Sequence, residues 1–306
     1  MTDRRALGYR LLGKGFDYLL HLRPAEWPIL TVHLLTGSAL SIGLAGLLGG
    51  QGGWPVLAGV SAFMVCLNGG TLALNSAFDR DEGDIAYLRR PPPPPPLLGV
   101  FGFGLMAIGL VIALRLPPAF GYAYALCAVL SVLYSVPPVR LKAVPGVDWL
   151  VNMVGFGLLT PYAGWALTGR EVAGPGRVVL ISFAMLFGAL YPLTQLYQLD
   201  EDRRRGDRTL AAALGRDNSL GLSLAMTILA FAGFALAGTA SGWMAGAPGL
   251  SRWAALASAA AAWAAVLLPW WRRRREMDPA AHQTGMHRAL AAWAITDMAV
   301  LFAWAR

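Results

Sequence analysis

Long apolar runs, each closed by a short charged or proline-rich stretch, set the rhythm of this chain. Nine windows of about 18 or more nearly uncharged residues occur, at 27–49, 54–74, 97–116, 118–136, 147–168, 177–199, 219–241, 251–271 and 287–305. About 20 residues at a 1.5 Å rise cross a hydrocarbon core of about 30 Å, so each window predicts a transmembrane helix. The third and fourth windows meet at Leu116-Pro117-Pro118 with almost no connection. The expected architecture is an all-α membrane protein, a bundle of nine transmembrane helices forming one domain over residues 1–306. Residues 1–26 read as an amphipathic segment lying on the membrane surface. Residues 75–96 and 200–218 read as Asp-rich loops or caps.

Composition supports the bilayer as solvent. At 56% hydrophobic and 14% charged residues, the chain has too little polar surface to cover a water-soluble globule of 306 residues. Its mean hydropathy of +0.52 agrees. If the N-terminus is cytoplasmic, Lys and Arg divide twenty to five in favour of the cytoplasmic side, as the positive-inside rule requires. The expectation is a multi-pass protein of a bacterial-type cytoplasmic membrane, N-terminus in, with the Asp-rich loops on the cytoplasmic side. Orientation and anionic lipid headgroups account for the net charge of +8, so no nucleic-acid partner is called for. Arg272 to Arg275, after Trp270-Trp271, read as an interfacial anchor. Cys66 and Cys127 fall inside predicted spans and read as apolar packing residues.

The acids are distributed unevenly. Eight of seventeen lie in two clusters, Asp79, Asp81, Glu82 and Asp84 after span 2, and Asp200, Glu201, Asp202 and Asp207 after span 6. Asn68, Asn75 and Asp79 stand at i, i+7 and i+11, hence on one face if the helix of span 2 continues that far. Gln195, Gln198 and Asp202 stand at i, i+3 and i+7 on span 6. Polar stripes in membrane helices face the bundle interior, because exposing them to lipid is costly. Two stripes ending in carboxylates on one side predict a polar cavity in which Mg²⁺, a hard cation that joins carboxylates to phosphates, supplies counter-charge. Between them lies LYSVPPVRLK, Leu133 to Lys142, whose Arg140 and Lys142 suit a diphosphate and whose Tyr134 adds a hydroxyl donor.

With these residues in place the sequence resembles the UbiA superfamily of intramembrane prenyltransferases. The family's first motif, N-D-x-x-D-x-x-x-D, is matched by Asn75 and Asp79. The second, D-x-x-x-D followed by G and T, is matched by Asp202, Gly206 and Thr209. The loop Y-S-x-P-P-x-x-x-K is matched by Tyr134, Ser135, Pro137, Pro138 and Lys142, and Arg23 in RPAEWP resembles the arginine that opens the family's first helix. The resemblance implies nine transmembrane helices and two aspartate-rich motifs that hold Mg²⁺ against a prenyl diphosphate. Where the pattern has Asp, this chain has Ser76, Gly83 and Gln198; Asp81, Glu82, Asp84 and Asp200 stand within one or two residues of those gaps.

The expected metal ligands are therefore Asp79, Asp81, Glu82, Asp84, Asp200 and Asp202. Arg23, Asn75, Ser135, Arg140, Lys142 and Gln198 are expected to bind the diphosphate, and Asp79, Asp202, Lys142 and Tyr134 to carry the chemistry. Candidates to face an allylic cation are Phe78, Tyr134, Phe156, Tyr162 and Tyr197. Asp297, a single acid in span 9, reads either as a functional group or as a helix contact. Three activities fit: transfer of a prenyl group from an isoprenoid diphosphate to a lipophilic acceptor (aromatic, quinone-precursor or lipid), cyclisation of a terpenoid diphosphate on the same scaffold, and ion transport through the polar cavity. The six prolines Pro91 to Pro96 read as a semi-rigid polyproline connector, with Ile85 to Arg90 as a short lid.

Overall fold

A computed structural model describes residues 3–79, 88, 90–200, 208–242 and 244–304. Two short helices, α1 (Asp3–Leu12) and α2 (Phe16–His21), precede α3 (Trp27–Ile42). Then follow α4 (Gly53–Asp79), α5 (Leu98–Ala113), α6 (Pro118–Ser135) and α7 (147–166). The chain continues through α8 (Gly174–Gln195), α9 (Leu210–Ala240), α10 (Gly246–Arg273) and α11 (Pro279–Trp304). No strand occurs among the described residues. Five helices are long and apolar enough to cross a membrane: α4, α6, α8, α9 and the Gly249–Arg273 part of α10. Helices α3 and α5 are apolar but shorter.

Several boundaries depart from the windows for local reasons. Helix α3 stops at Gly43, whose φ of 81° breaks the helix, and a separate turn, Leu44–Leu48, completes the first window. Helix α9 begins at Leu210, inside the stretch expected to be an Asp-rich loop over 200–218. Thr209 starts it by accepting a hydrogen bond from the Ala212 N–H at 3.3 Å, and Gly215, at φ 74°, bends it. Helix α8 ends at Gln195, so Gln198 lies in a turn and the i, i+3 stripe of Gln195 and Gln198 is not a helical face.

The core forms two apolar clusters. One gathers α8 to α11 around Phe183, Phe234, Trp263 and Trp293; the other gathers α3 to α7 around Phe63, Phe120 and Tyr124. Helices α3 and α7 cross at backbone contact. A Cβ on Gly37 would lie 1.7 Å from the Pro161 carbonyl oxygen, and one on Gly164 would lie 1.7 Å from that of Leu34. Ser38 Oγ donates to the Gly164 carbonyl across this contact at 2.6 Å. Small residues at such crossings let helices pack where lipid gives no hydrophobic drive.

Two features absent from the sequence reading shape the interior. Helix α4 carries a π-helical stretch, Ala62–Asn68, and α7 carries another, Met153–Leu159. Each shifts the register of its helix and turns side chains that regular spacing would place elsewhere. The N-terminal helices hold the proline run. Tyr18 Oη donates to the Pro96 carbonyl at 2.5 Å, His21 Nε2 to that of Pro92 at 3.2 Å, and Arg5 to that of Arg90 at 3.1 Å. A polyproline segment lacks the N–H groups for a helix or a ladder, so its carbonyls are free for such donors.

Candidate active site

The site forms where α4, α6 and α8 end and α7 and α9 begin. Helix α4 runs unbroken to Asp79 and so delivers this carboxylate to the end of the bundle. The loop after α6 folds back so that the Lys142 ammonium pairs with Asp79 Oδ1, with Arg140 NH2 3.9 Å from the same oxygen. One turn earlier on α4, Ser135 Oγ donates to Asn75 Oδ1. Arg23, buried at the entry to α3, donates to the Oγ of buried Ser76 at 3.4 Å. The structure thus gathers Arg23, Asn75, Asp79, Ser135, Arg140 and Lys142 from four separate segments.

Two of these cations have strained backbones. Arg23 has φ 50° and Arg140 has φ 39°, left-handed values that residues with a Cβ seldom adopt. Such conformations cost about 1–3 kcal/mol each and persist where surrounding contacts hold them. Here they aim two guanidinium groups toward the end of α4.

Below this cluster lies a cavity of about 70 Å³. Asn68, Thr71 and Asn75 line it from α4, Ser131 and Tyr134 from α6, and Asn152 and Phe156 from α7. The face predicted for Asn68 and Asn75 therefore exists. The aromatic candidates separate: Tyr134 and Phe156 line this cavity, Phe78 lines a groove beside the prolines, and Tyr162 lines a groove at the α6–α7–α8 side. Tyr197 packs against the α8 to α11 core.

The residue that organises the cluster is Asp148, which sequence reasoning passed over. It is fully buried and accepts from Gly146 N at 2.9 Å, Gln195 Nε2 at 3.1 Å, Leu210 N at 2.9 Å and Tyr191 Oη at 3.3 Å. Tyr191 Oη is in turn 2.8 Å from Tyr134 Oη, and Gln195 Oε1 accepts from Ala211 N at 3.0 Å. One carboxylate thereby ties the starts of α7 and α9 to the end of α8 and sets the Tyr134 hydroxyl. The available signal was a single acid in the first turn of a predicted span, two residues after a glycine. This network also corrects the reading of Gln195: it is a tie between helices, not a cavity wall.

Other expected residues lie elsewhere. Asp200 is exposed and bonds Arg216 at 3.1 Å. Gln198 is half-buried in the turn after α8. Asp81, Glu82, Asp84 and Asp202 lie outside the described residues, as does most of the proposed lid over Ile85 to Arg90. Among the described residues, no group of three or more His, Cys, Asp or Glu side chains converges on a metal-sized site. Asp297 bonds His33 Nδ1 at 2.8 Å, both fully enclosed between α3 and α11, and so is a contact between helices. Arg274 and Arg275, expected as an anchor, clamp Asp217 of α9, the former at 2.6 Å and the latter at 3.0 Å.

The class is now defined: an all-helical membrane protein with a carboxylate and cations gathered over an interior cavity. The chain belongs to the UbiA prenyltransferase family, whose model matches residues 37–295. Among curated proteins, a lycopene elongase/hydratase of Halobacterium salinarum is 28% identical over 230 residues, covering 72% of this chain and 80% of that one. Among solved structures, a UbiA homolog of Archaeoglobus fulgidus bound to GPP and Mg²⁺ superposes with a TM-score of 0.64 at 20% identity, over 93% of this chain and 99% of that one. A structure described as digeranylgeranylglyceryl phosphate synthase gives a TM-score of 0.66 at 15% identity, over 93% and 96%. The protein is therefore a prenyltransferase by family and shares the UbiA fold.

Proposed function

We propose that this protein transfers a prenyl group from an isoprenoid diphosphate to a lipophilic acceptor inside the membrane. The observation that carries the reading is the convergence of Lys142 and Arg140 on Asp79 above a cavity walled by Tyr134 and Phe156. The name of the Halobacterium relative favours a polyene among the aromatic, quinone-precursor and lipid acceptors. In this reading the nine long helices α3 to α11 each cross the bilayer within one domain, with the N-terminus and the cavity mouth on the cytoplasmic side.

Asp79 presents a hard oxygen donor beside cations suited to phosphate, a donor set that fits Mg²⁺, the ion of the GPP-bound homolog. Asp79 and Asp202 would hold the metal, with Asp81, Glu82, Asp84 and Asp200 as further oxygen donors. When bound, the metal supplies Lewis-acid neutralisation of the diphosphate. The chain's own residues do the rest. As donor enters, Lys142 and Arg140 exchange Asp79 for diphosphate oxygens, while Arg23, Asn75, Ser135 and Gln198 bind and orient the remainder. The allylic C–O bond breaks and the diphosphate leaves with the electron pair. These fixed cations stabilise the charge that develops on it. The rings of Tyr134 and Phe156 face the allylic cation. The acceptor's double bond then forms the new C–C bond, and the cation it leaves sheds a proton.

The test supplies purified protein with Mg²⁺ and a panel of prenyl diphosphates, with and without polyene, quinol and lipid acceptors. Diphosphate release that requires an acceptor supports transfer. Release with a cyclic hydrocarbon and no acceptor supports a cyclase instead. No release with any donor overturns both.

A further inference from the structure

Three groups form a chain of hydrogen bonds from the cavity wall to the point where α7, α8 and α9 meet. Tyr134 lines the cavity, its Oη lies 2.8 Å from Tyr191 Oη, and Tyr191 Oη lies 3.3 Å from Asp148 Oδ2. Tyr191, 7% exposed, and Asp148, 0% exposed, are buried behind the wall.

The polarity of this chain follows from its inner end. Both Asp148 oxygens accept N–H groups, Oδ1 from Gly146 and Oδ2 from Gln195 and Leu210, and a carboxylate has no proton to give. Tyr191 therefore places its one proton on the Asp148 bond. The contact between the two tyrosines then has a single arrangement, in which Tyr134 donates and Tyr191 accepts. The Tyr134 hydroxyl, expected from sequence to donate to a diphosphate, thus has its proton engaged inside the wall. What Tyr134 Oη keeps is the capacity to accept. Asn152, also of the cavity wall, donates to the Asp148 carbonyl at 2.8 Å and bonds the Tyr134 hydroxyl as well, so the oxygen is held in place while a second lone pair remains. A hydroxyl arranged in this way takes up a proton from the cavity and does not supply one.

We infer that Tyr134 accepts the proton shed by the prenylated acceptor and that Tyr191 conveys the charge to Asp148. This deepens the transfer reading above and rests on it. Once the new C–C bond has formed, a C–H bond beside the cationic carbon breaks and its electron pair becomes a C=C bond. The proton goes to Tyr134 Oη, the Tyr134 proton to Tyr191 Oη, and the Tyr191 proton to Asp148 Oδ2. Both tyrosines end neutral and Asp148 ends as the neutral acid. A carbocation is a far stronger acid than a carboxylic acid, so this step runs downhill although four hydrogen bonds hold the Asp148 charge. Reversal of the chain passes the proton to the departing diphosphate and restores the carboxylate. No oxidant or reductant is needed. Tyr134 is the catalytic residue of this step, and Tyr191 and Asp148 act through it.

The experiment compares the wild type, Tyr134→Phe, Tyr191→Phe and the double variant, each checked for folding by its Tm. All receive Mg²⁺, a panel of prenyl diphosphates and the polyene, quinol and lipid acceptors. With the pair that supports turnover, kcat is expected to fall about 10²-fold in either single variant, as for loss of a general base, while KM for the donor holds. The double variant should be no slower than the slower single one, because the two hydroxyls act as one path. Infrared difference spectra of a single turnover should show the carbonyl stretch of a protonated carboxylic acid in the wild type. Heavy-carbon labelling of aspartate should shift that band, and Tyr191→Phe should lack it. Wild-type kcat in Tyr191→Phe, a raised donor KM at unchanged kcat in Tyr134→Phe, or no such band in the wild type overturns the inference and leaves transfer intact. Absence of acceptor-dependent diphosphate release from the wild type overturns the transfer reading itself.

Discussion

Lys142, on the loop after α6, pairs with Asp79, the last residue of α4, and so joins the loop to the end of that helix. The loop thus brings counter-charge to the end of the helix. In the proposed function the pair marks the place where diphosphate and metal enter.

Lys142→Met is expected to lower kcat/KM for the prenyl diphosphate about 10²–10³-fold, the usual effect of removing one fixed group that stabilises leaving-group charge. Asp79→Asn is expected to fall at least as far. The double variant should lose much less than the product of the two, because both act on one site. Continuous assay of diphosphate release checks this, and fully multiplicative losses would show that the two residues act separately.

Asp148→Ala leaves donors of Tyr191, Gln195 and Leu210 buried without their acceptor. Each such group costs about 1–3 kcal/mol before relaxation. A large drop in Tm in detergent is expected, with Tyr191→Phe, which removes only a 3.3 Å contact to Asp148 and the link to Tyr134, dropping far less.

Gly164→Ala places a methyl against the Leu34 carbonyl and forces α3 and α7 apart. Overpacking of this kind costs about 1–3 kcal/mol. Gly104→Ala, on α5 with nothing within 4 Å of the added carbon, serves as the control and should be neutral or slightly stabilising. Thermal unfolding of the two variants side by side decides the point.

Burial, reinforced by the nearby Arg23 guanidinium, pushes the His21 pKa below its usual value. The folded protein therefore binds the proton less readily than the unfolded chain, and stability rises with pH through this window. The contribution is complete above the unfolded value of about 6.5 and is lost as pH falls toward the lower folded value. Limited proteolysis on either side of the proline run should accelerate as pH falls below about 6.5, because the buried His21 must then take up a charge. His21→Gln should flatten that dependence; an unchanged profile would place the titration elsewhere.

The residues that sequence made legible share one property: their geometry follows from local rules. The spacing of Asn68 and Asn75 on one helix puts both at one cavity, and the motif loop carrying Tyr134, Ser135, Arg140 and Lys142 does reach the end of α4. Hydropathy alone marked the apolar helices, because a bilayer requires long uncharged runs whatever their neighbours. Gln195 and Asp148 were misread or missed for the opposite reason. Whether a buried amide lines a cavity or ties two helices depends on which backbone N–H groups arrive opposite it, and those of Leu210 and Ala211 come from another helix. The same holds for Asp297, whose partner His33 lies at the far end of the chain, and for the proline run, whose carbonyls are held by Tyr18 and His21.

By itself, then, the sequence determined the solvent, the helical class, the family motifs and the side chains available for diphosphate chemistry, since each is a property of composition or short-range spacing. Tertiary structure alone decided that Asp148 organises the site, that two π-helical stretches share one cavity wall, and that Asn68 lies there with no hydrogen-bond partner among the described residues. These are relations between distant segments, settled by the requirement that buried polar groups find hydrogen bonds across the packed bundle.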